Sequence, residues 1–449
     1  MALKQIKEGK MKREKTKLGR RSVRWQMLAI CAFLIIGTVS VFGKGQGEAP
    51  KQKGIVLQYW NGFTGPDGQY LQTIVNKFNA ENKGSIYVKM VVMPWADYMT
   101  KRAIALKSGT KDAPDIGNVT ENYIPTMVKL NFLIPLTPYL DKIGIKKADI
   151  NPRLWALQFI NGTSWGMPTD MNPQAVLYWN KDLFKAVGLD PNTPPRDRKE
   201  FLKFSKMMTQ GSGKNKQWGT AMPTGWPNNL IWYSIFRSNG GRLFNPNHTT
   251  ATFGGPAGLD ALQFMYNLVY VDKVAQPNID GNSVLTNFRS GHIGMVSDGL
   301  WMLSSLMKTP KLNLGVALIP KLGSKKQAVA TAANFIMIFN KSGQTQERID
   351  ACVKFLHYVN ANIIEWMKSY KLPPRNSMLT DPAYLALPYM KDIAKDADKV
   401  VFANYFPSFQ AATQPLWEAL NIAITGTKSP QKALAAAVKA SNQVLKKGE

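Results

Sequence analysis

The sequence predicts an α/β protein built on mostly parallel sheets with helices packed on their faces. Three observations carry that prediction. The 449 residues are 45% hydrophobic and 10% aromatic, which supports a sizeable core divided over about two or three lobes. Between Ile55 and Val119, short β-rich runs alternate with stretches of helical periodicity. Only Cys31, Cys352, His248, His292 and His357 represent their residue types, so neither a disulfide framework nor a dedicated zinc site organises the fold.

The elements follow in order. Ile55–Trp60 is a β-rich run bounded by Gly54 and Asn61-Gly62. Asp67 can cap a helix whose apolar Leu71, Ile74, Val75 and Phe78 fall at i, i+3, i+4 and i+7, with Lys83-Gly84 closing it. Ile86–Met93 reads as a strand, Tyr98–Lys107 as a helix and Asp115–Val119 as a third strand. This β-α-β-α-β order implies parallel strands covered on both faces. Ligands of such sheets bind beyond the carboxyl ends of the strands, here Trp60–Asp67 and Val119–Asn122. Asp197-Arg-Lys-Glu200 is a capping box opening a helix through Met208. Gly258–Tyr270 is helical, with Leu259, Leu262 and Tyr266 on one face, and Ile349, Cys352, Val353 and Leu356 form the buried stripe of another helix. Ser429-Pro430 opens a last helix carrying Leu434, Val438 and Leu445. No repeat or long linker interrupts the chain, so two lobes would be joined by short extended crossings.

The charge balance is 57 Lys+Arg against 29 Asp+Glu, a formal +28. Residues 1–24 hold six Lys and four Arg against Glu8 and Glu14; the apolar run Met27–Ile36 follows, and then the small-residue stretch Gly37–Gly43. A basic region, an apolar run and a small-residue cut site predict a secretory signal peptide over residues 1–43, with Met11 a second candidate start. The alternatives are an uncleaved anchor over 25–42 and lipidation at Cys31; bulky Ile30 and the apolar sequence after Cys31 argue against lipidation. The product is then a soluble exported protein in which Cys352 is a buried, inert thiol. The remaining basic residues are spread out; the densest cluster, Lys321–Lys326, reads as a solvated turn. That dispersal excludes a nucleic-acid arm and leaves acidic ligands or anionic headgroups open.

Tyr59-Trp-Asn-Gly-Phe-Thr-Gly-Pro-Asp-Gly68 followed by Ile74-Val-Asn-Lys-Phe-Asn79 resembles the opening of extracellular solute-binding proteins of the maltose-binding type, the receptors of ABC sugar importers. Trp165–Asp170 with Leu177–Phe184, Phe288–Met295, Leu318–Gly323, Leu372–Arg375 and Thr425–Leu434 resemble that family in order and spacing. Arg198, where the family often has Trp, and His292, where it often has Lys, depart from the pattern. The resemblance implies a two-lobe periplasmic-binding-protein fold of type II with three hinge crossovers. They would fall near 168–172, 329–333 and 373–376. Lobe one would take 54–167 and 332–372, and lobe two 171–328 and 377–445. It implies a carbohydrate ligand, an oligosaccharide by the number of aromatics, delivered to the permease subunits of an ABC importer. No cofactor, metal or nucleic-acid partner is expected, and the protein is expected to be a monomer.

A sugar offers apolar C–H faces and a belt of hydroxyls, so its cleft needs flat aromatic platforms beside carboxylates and amides. The candidates at strand ends are Trp60, Phe63 and Asp67, then Glu121 and Asn122, then Asp170 and Asn172 in the first expected crossing. Trp226 and Trp301 stand among Gly and Pro neighbours. By resemblance, Trp301 and Asp170 match sugar-contacting positions and Arg375 a cleft-edge arginine. From residue type alone, Tyr405-Phe-Pro407 is a further candidate aromatic wall. Structural roles compete: Asp67, Glu121 and Asn122 as helix caps, Trp60 as core, Arg375 as a bridge between lobes, His292 as a structural residue. The rival function is a secreted glycosidase or polysaccharide lyase, for which Asp67, Glu121 and Asp170 could supply carboxylates. No nucleophile elbow, P-loop or nucleotide fingerprint supports it.

Overall fold

The structure, a computed structural model, describes residues 54–110 and 112–447. The expected signal peptide over 1–43 lies outside the described residues. The chain opens β1 (Ile55–Asn61), α1 (Gly68–Glu81), β2 (Ile86–Val92), α2 (Trp95–Ser108) and β3 (Ile116–Thr120), the predicted alternation to within a few residues. Leu71, Ile74, Val75 and Phe78 are the buried face of α1. β1 lies between β2 and β3, parallel to both.

The sheet is completed from distant sequence. β4 (Met167–Pro173) and β10, the ten-residue strand Val329–Ile338, pair antiparallel, and β10 also runs antiparallel to β3. Every residue of β10 is buried, as a strand covered on both faces requires. A second sheet centres on β5 (Val176–Asn180), antiparallel to β8 (Met295–Asp298) and β9 (Leu314–Leu318). Its edge continues in parallel through Gly294 and Met295, whose amides donate to Trp218 and Gly219, and through β6 (Thr220–Ala221) beside β7 (Ala275–Gln276).

Helices cover these sheets. α3 (Arg198–Met208) starts at Asp197, whose carboxylate accepts the Glu200 amide at 2.9 Å. The predicted capping box is half formed, because Glu200 turns to the Arg196 amide instead. α4 (Trp226–Ser238), α5 (Pro256–Tyr270), α7 (Phe409–Ile424) and α8 (Pro430–Lys447) pack on one another. On α5 the buried stripe is Ala261, Leu262, Met265 and Leu268; Leu259 and Tyr266 flank it half-buried. Cys352, Val353 and Leu356 are buried on α6 (Gln346–Ala361), and burial pushes the Cys352 thiol well above its ordinary range. Among the described residues no helix is long and apolar enough to cross a membrane.

β4 is the junction of the molecule. One edge takes β10, with Ala332 opposite Asn172 and Ala333 opposite Met171. Met171 also exchanges both backbone hydrogen bonds with Leu372 at 2.9 Å. Short strand β11 (Val400–Val401) then runs parallel to the start of β10.

Candidate functional site

A cleft of about 230 Å³ opens between the carboxyl end of β3 and helices α4 and α7. That is where parallel strands and incoming helix termini converge backbone groups on a ligand. Gly225, at φ +83, turns the chain into α4, and its amide donates to Asn421 Oδ1 on α7 at 2.9 Å. Ser234 Oγ on the same helix accepts the Ala330 amide of β10 at 2.8 Å. These two ties fix the α4 wall against both neighbours.

The aromatic part is built from α4, α7, the short turn after β8 and the segment leading into α7. Trp226, 55% exposed, stacks on Trp301 with centroids 5.8 Å apart and planes 30° apart. Tyr233, Tyr405 and Trp417 line the cleft beyond it. Two amide atoms in this lining, Asn229 Oδ1 and Gln410 Nε2, are buried without a hydrogen-bond partner, and so is Asn172 Oδ1 on β4. Buried polar atoms are almost always paired, so the Asn229 and Gln410 amide atoms are ones that a small repacking of the cleft wall around a ligand would pair.

Glu121 closes the floor. It is 3% exposed, its Oε2 accepts the Ala333 amide at 2.8 Å and its Oε1 accepts the Tyr405 hydroxyl at 2.7 Å. Burial pushes its carboxyl up to about 7, against the lowering effect of those two bonds. Asn122 lies beside it on the lining, its Oδ1 taken by the Thr120 hydroxyl at 2.6 Å. Neither residue caps a helix with its side chain.

The other candidates gather elsewhere. Asp170 is fully buried; it accepts from Asn334 Nδ2 at 2.7 Å, the Trp366 indole at 2.8 Å and the Thr169 hydroxyl at 3.2 Å. Burial raises its carboxyl pKa, opposed by Lys371. Phe63 is 6% exposed and packs on Trp366 and Trp95. Asp67 precedes α1 without a side-chain cap bond and pairs with Lys371 instead. Trp60 is half-buried on β1 opposite Val91 and Gly117. Arg375 donates to the Asn360 carbonyl of α6 at 3.1 Å and lines no part of this cleft. Glu121, Asn122, Trp226 and its stacking partner Trp301 thus come together, whereas Phe63, Asp67 and Asp170 form a separate buried cluster. Sequence reasoning missed Asn229, Tyr233, Gln410, Trp417, Trp366 and Lys371. The spacing of Trp226, Leu230 and Tyr233 at i, i+4 and i+7 was the one available signal for the α4 face.

Two α/β layers meeting at an aromatic cleft with unpartnered amides define a two-lobe binding protein of the periplasmic type. The chain belongs to the bacterial extracellular solute-binding proteins, whose family model matches residues 73–435. The sn-glycerol-3-phosphate-binding periplasmic protein UgpB of Escherichia coli (strain K12) is 23% identical over 421 residues, covering 88% of this chain and 93% of that protein. Among solved structures, the GacH receptor of Streptomyces glaucescens, in unliganded and acarbose-bound forms, superposes with a TM-score of 0.77 at 22% identity, covering 88% of this chain and 99% of that one. The ABC substrate-binding protein Lmo0181 of Listeria monocytogenes, in complex with cycloalternan, gives 0.76 at 23% identity with the same coverage.

Proposed function

We propose that the protein is an exported receptor that captures a carbohydrate, an oligosaccharide by the extent of its aromatic wall, and delivers it to the permease subunits of an ABC importer. The observation that carries this is the cleft itself: a Trp226–Trp301 platform beside the unpartnered Asn229 and Gln410 amides. Aromatic faces match sugar C–H faces, and amides on the wall match hydroxyls. The oligosaccharide ligands named for GacH and Lmo0181 agree with that chemistry.

The receptor works without catalysis of its own, as a monomer and without nucleic acid. Cleavage by a carboxylate pair needs two acids facing the sugar; Glu121 lines the cleft, while Asp170 is enclosed and already accepts three hydrogen bonds. The hinge crossings run near 168–172, 329–333 and 373–376, where β4, β10 and Leu372 lie side by side. Closure is favoured by whatever affinity the ligand has for the closed form over the open one. A signal peptide over 1–43 supplies the export.

A thermal-shift screen against mono- and oligosaccharides, amino acids and short peptides tests this, with reducing-sugar release assayed alongside. A narrow class of sugars raising the melting temperature, with no product, is the expected result. Product release would make the protein an enzyme; stabilisation by amino acids or peptides alone would replace the ligand class.

A further inference from the structure

Helix α4 carries Trp226, Leu230, Tyr233 and Arg237 at spacings of four, three and four residues, which places them in one stripe along a single face. The stripe runs about 16 Å at 1.5 Å per residue. Its first three members line the aromatic cleft. Its last, Arg237, lines two adjoining cavities, one of about 160 Å³ with Arg242 and His248, the other of about 600 Å³ with Arg153, Lys326 and Lys399. The smaller one shares the lining residues Tyr233, Leu243 and Ala403 with the aromatic cleft, so the two spaces adjoin.

The charge there is one-sided. Five basic side chains line the two cavities against one carboxylate, Asp398, whose Oδ2 is already held by Lys399 Nζ at 2.7 Å. Arg153 donates to the carbonyls of Asp398 and Val400, at 3.0 and 2.7 Å, which anchors it on the cavity wall. Glu121, across the cleft, is occupied by Tyr405 and Ala333. Arg237 is half-buried, its Nε is buried without a partner, and it enters none of the ion pairs found among the described residues. By contrast, Arg196, Arg198 and Arg348 each hold a carboxylate. The last turn of α4 favours a cation, but that leaves the desolvated Nε unexplained, and an unpaired buried donor is costly.

Resting on the carbohydrate-receptor reading above, we propose that the ligand carries an anionic group, a phosphate or a carboxylate, which Arg237 and Arg242 grip in this cationic annex while its sugar rings lie on the Trp226 end of the same helix. A guanidinium fork matches either anion in bidentate fashion.

Calorimetric titration of the full chain at fixed ionic strength tests this with three ligand pairs: glucose against glucose 6-phosphate, glucose against glucuronate, and digalactose against digalacturonate. The anionic member of at least one pair is expected to bind about ten-fold tighter or more. The phosphate and uronate arms tell the two anions apart. Arg242→Gln, at an exposed position, and Arg237→Gln should each lower the anionic-to-neutral affinity ratio about ten-fold. Should Arg237→Gln fail to fold, the exposed variant decides alone. Neutral sugars binding as tightly as their anionic partners would overturn the inference and leave the carbohydrate receptor standing. Binding of no sugar, neutral or anionic, would overturn both. An anionic preference unchanged in the two variants would place the anion elsewhere and overturn the assignment.

Discussion

The ammonium of Lys371 lies 3.1 Å from Oδ2 of Asp67, 304 positions away, and the lysine side chain has no exposed surface. Its Nζ sits 5.7 Å from the Phe63 ring centroid and 5.1 Å from that of Trp366. Trp366 in turn donates to Asp170 on β4. One buried cation therefore holds the loop after β1, strand β4 and the segment following α6 together.

Lys371→Met should be strongly destabilising. It leaves Asp67 without its cation and removes the charge that opposes Asp170's burial. Breaking a buried pair from one side costs about 3–5 kcal/mol, to be read from denaturant unfolding at pH 7. Adding Asp67→Asn should recover part of that loss, because the stranded carboxylate is gone. A loss below about 1 kcal/mol would place the pair among surface-like bridges.

Stability should fall as pH rises from about 5 to 8. Glu121 has a folded-state pKa raised to about 7 by burial, above its ordinary 4.5, and burial also raises Asp298 to about 6. In this window the native state binds more protons than the unfolded chain, so the slope of unfolding free energy with pH is negative. The Glu121 contribution is on the order of 3 kcal/mol, present below about pH 4.5 and lost by about pH 7 and above. Unfolding curves for the protein and for Glu121→Gln across pH 5–8 check it: the pH dependence should shrink in the variant. A flat profile for the unaltered protein would refute a raised Glu121.

The first sheet was legible because α1 and strands β1 to β3 lie within 66 residues and show their periodicity directly. Its remaining strands were not, since β4 and β10 are paired by contacts some 164 positions apart, such as Asn334 on Asp170. Trp226 and Trp301 stood out through their Gly and Pro neighbours. Tyr233 and Arg237 on the same helix did not, because periodicity alone cannot say which outside element a helix face meets. Lys371 was invisible for a different reason: a lysine is read as a surface residue, and only tertiary packing makes it a core cation. Asp170 was singled out as a strand-end residue of the first crossing, but it sits in the middle of β4 and its side chain turns inward to Asn334 and Trp366.

Gly299→Ala should dislodge Trp301. A Cβ on Gly299 would stand 2.0 Å from carbons of the Trp301 ring, so the indole must move and its stack on Trp226 must break. The expected cost is about 1–3 kcal/mol of overpacking. The tryptophan emission of the ligand-free protein should shift along with it, and the affinity for the best sugar of the screen should drop. An unchanged spectrum with unchanged binding would mean that the ring finds room and that the pair does not shape the cleft.

Trp226→Ala separates binding from folding. The side chain is 55% exposed and makes its aromatic contact with Trp301 at the cleft mouth, so truncation exposes little core. The cost to stability is the stack on Trp301, about 0.5–1.5 kcal/mol. Losing the platform also removes the apolar area a sugar face buries on it, which predicts roughly a ten-fold weaker sugar affinity. Calorimetric titration with the same sugar on both proteins measures it, and denaturant unfolding supplies the control. Weakened binding in a variant that loses no more stability than that places the ligand on this end of α4. Unaltered binding would move the sugar off the Trp226–Trp301 platform and toward the Tyr405–Trp417 side of the cleft.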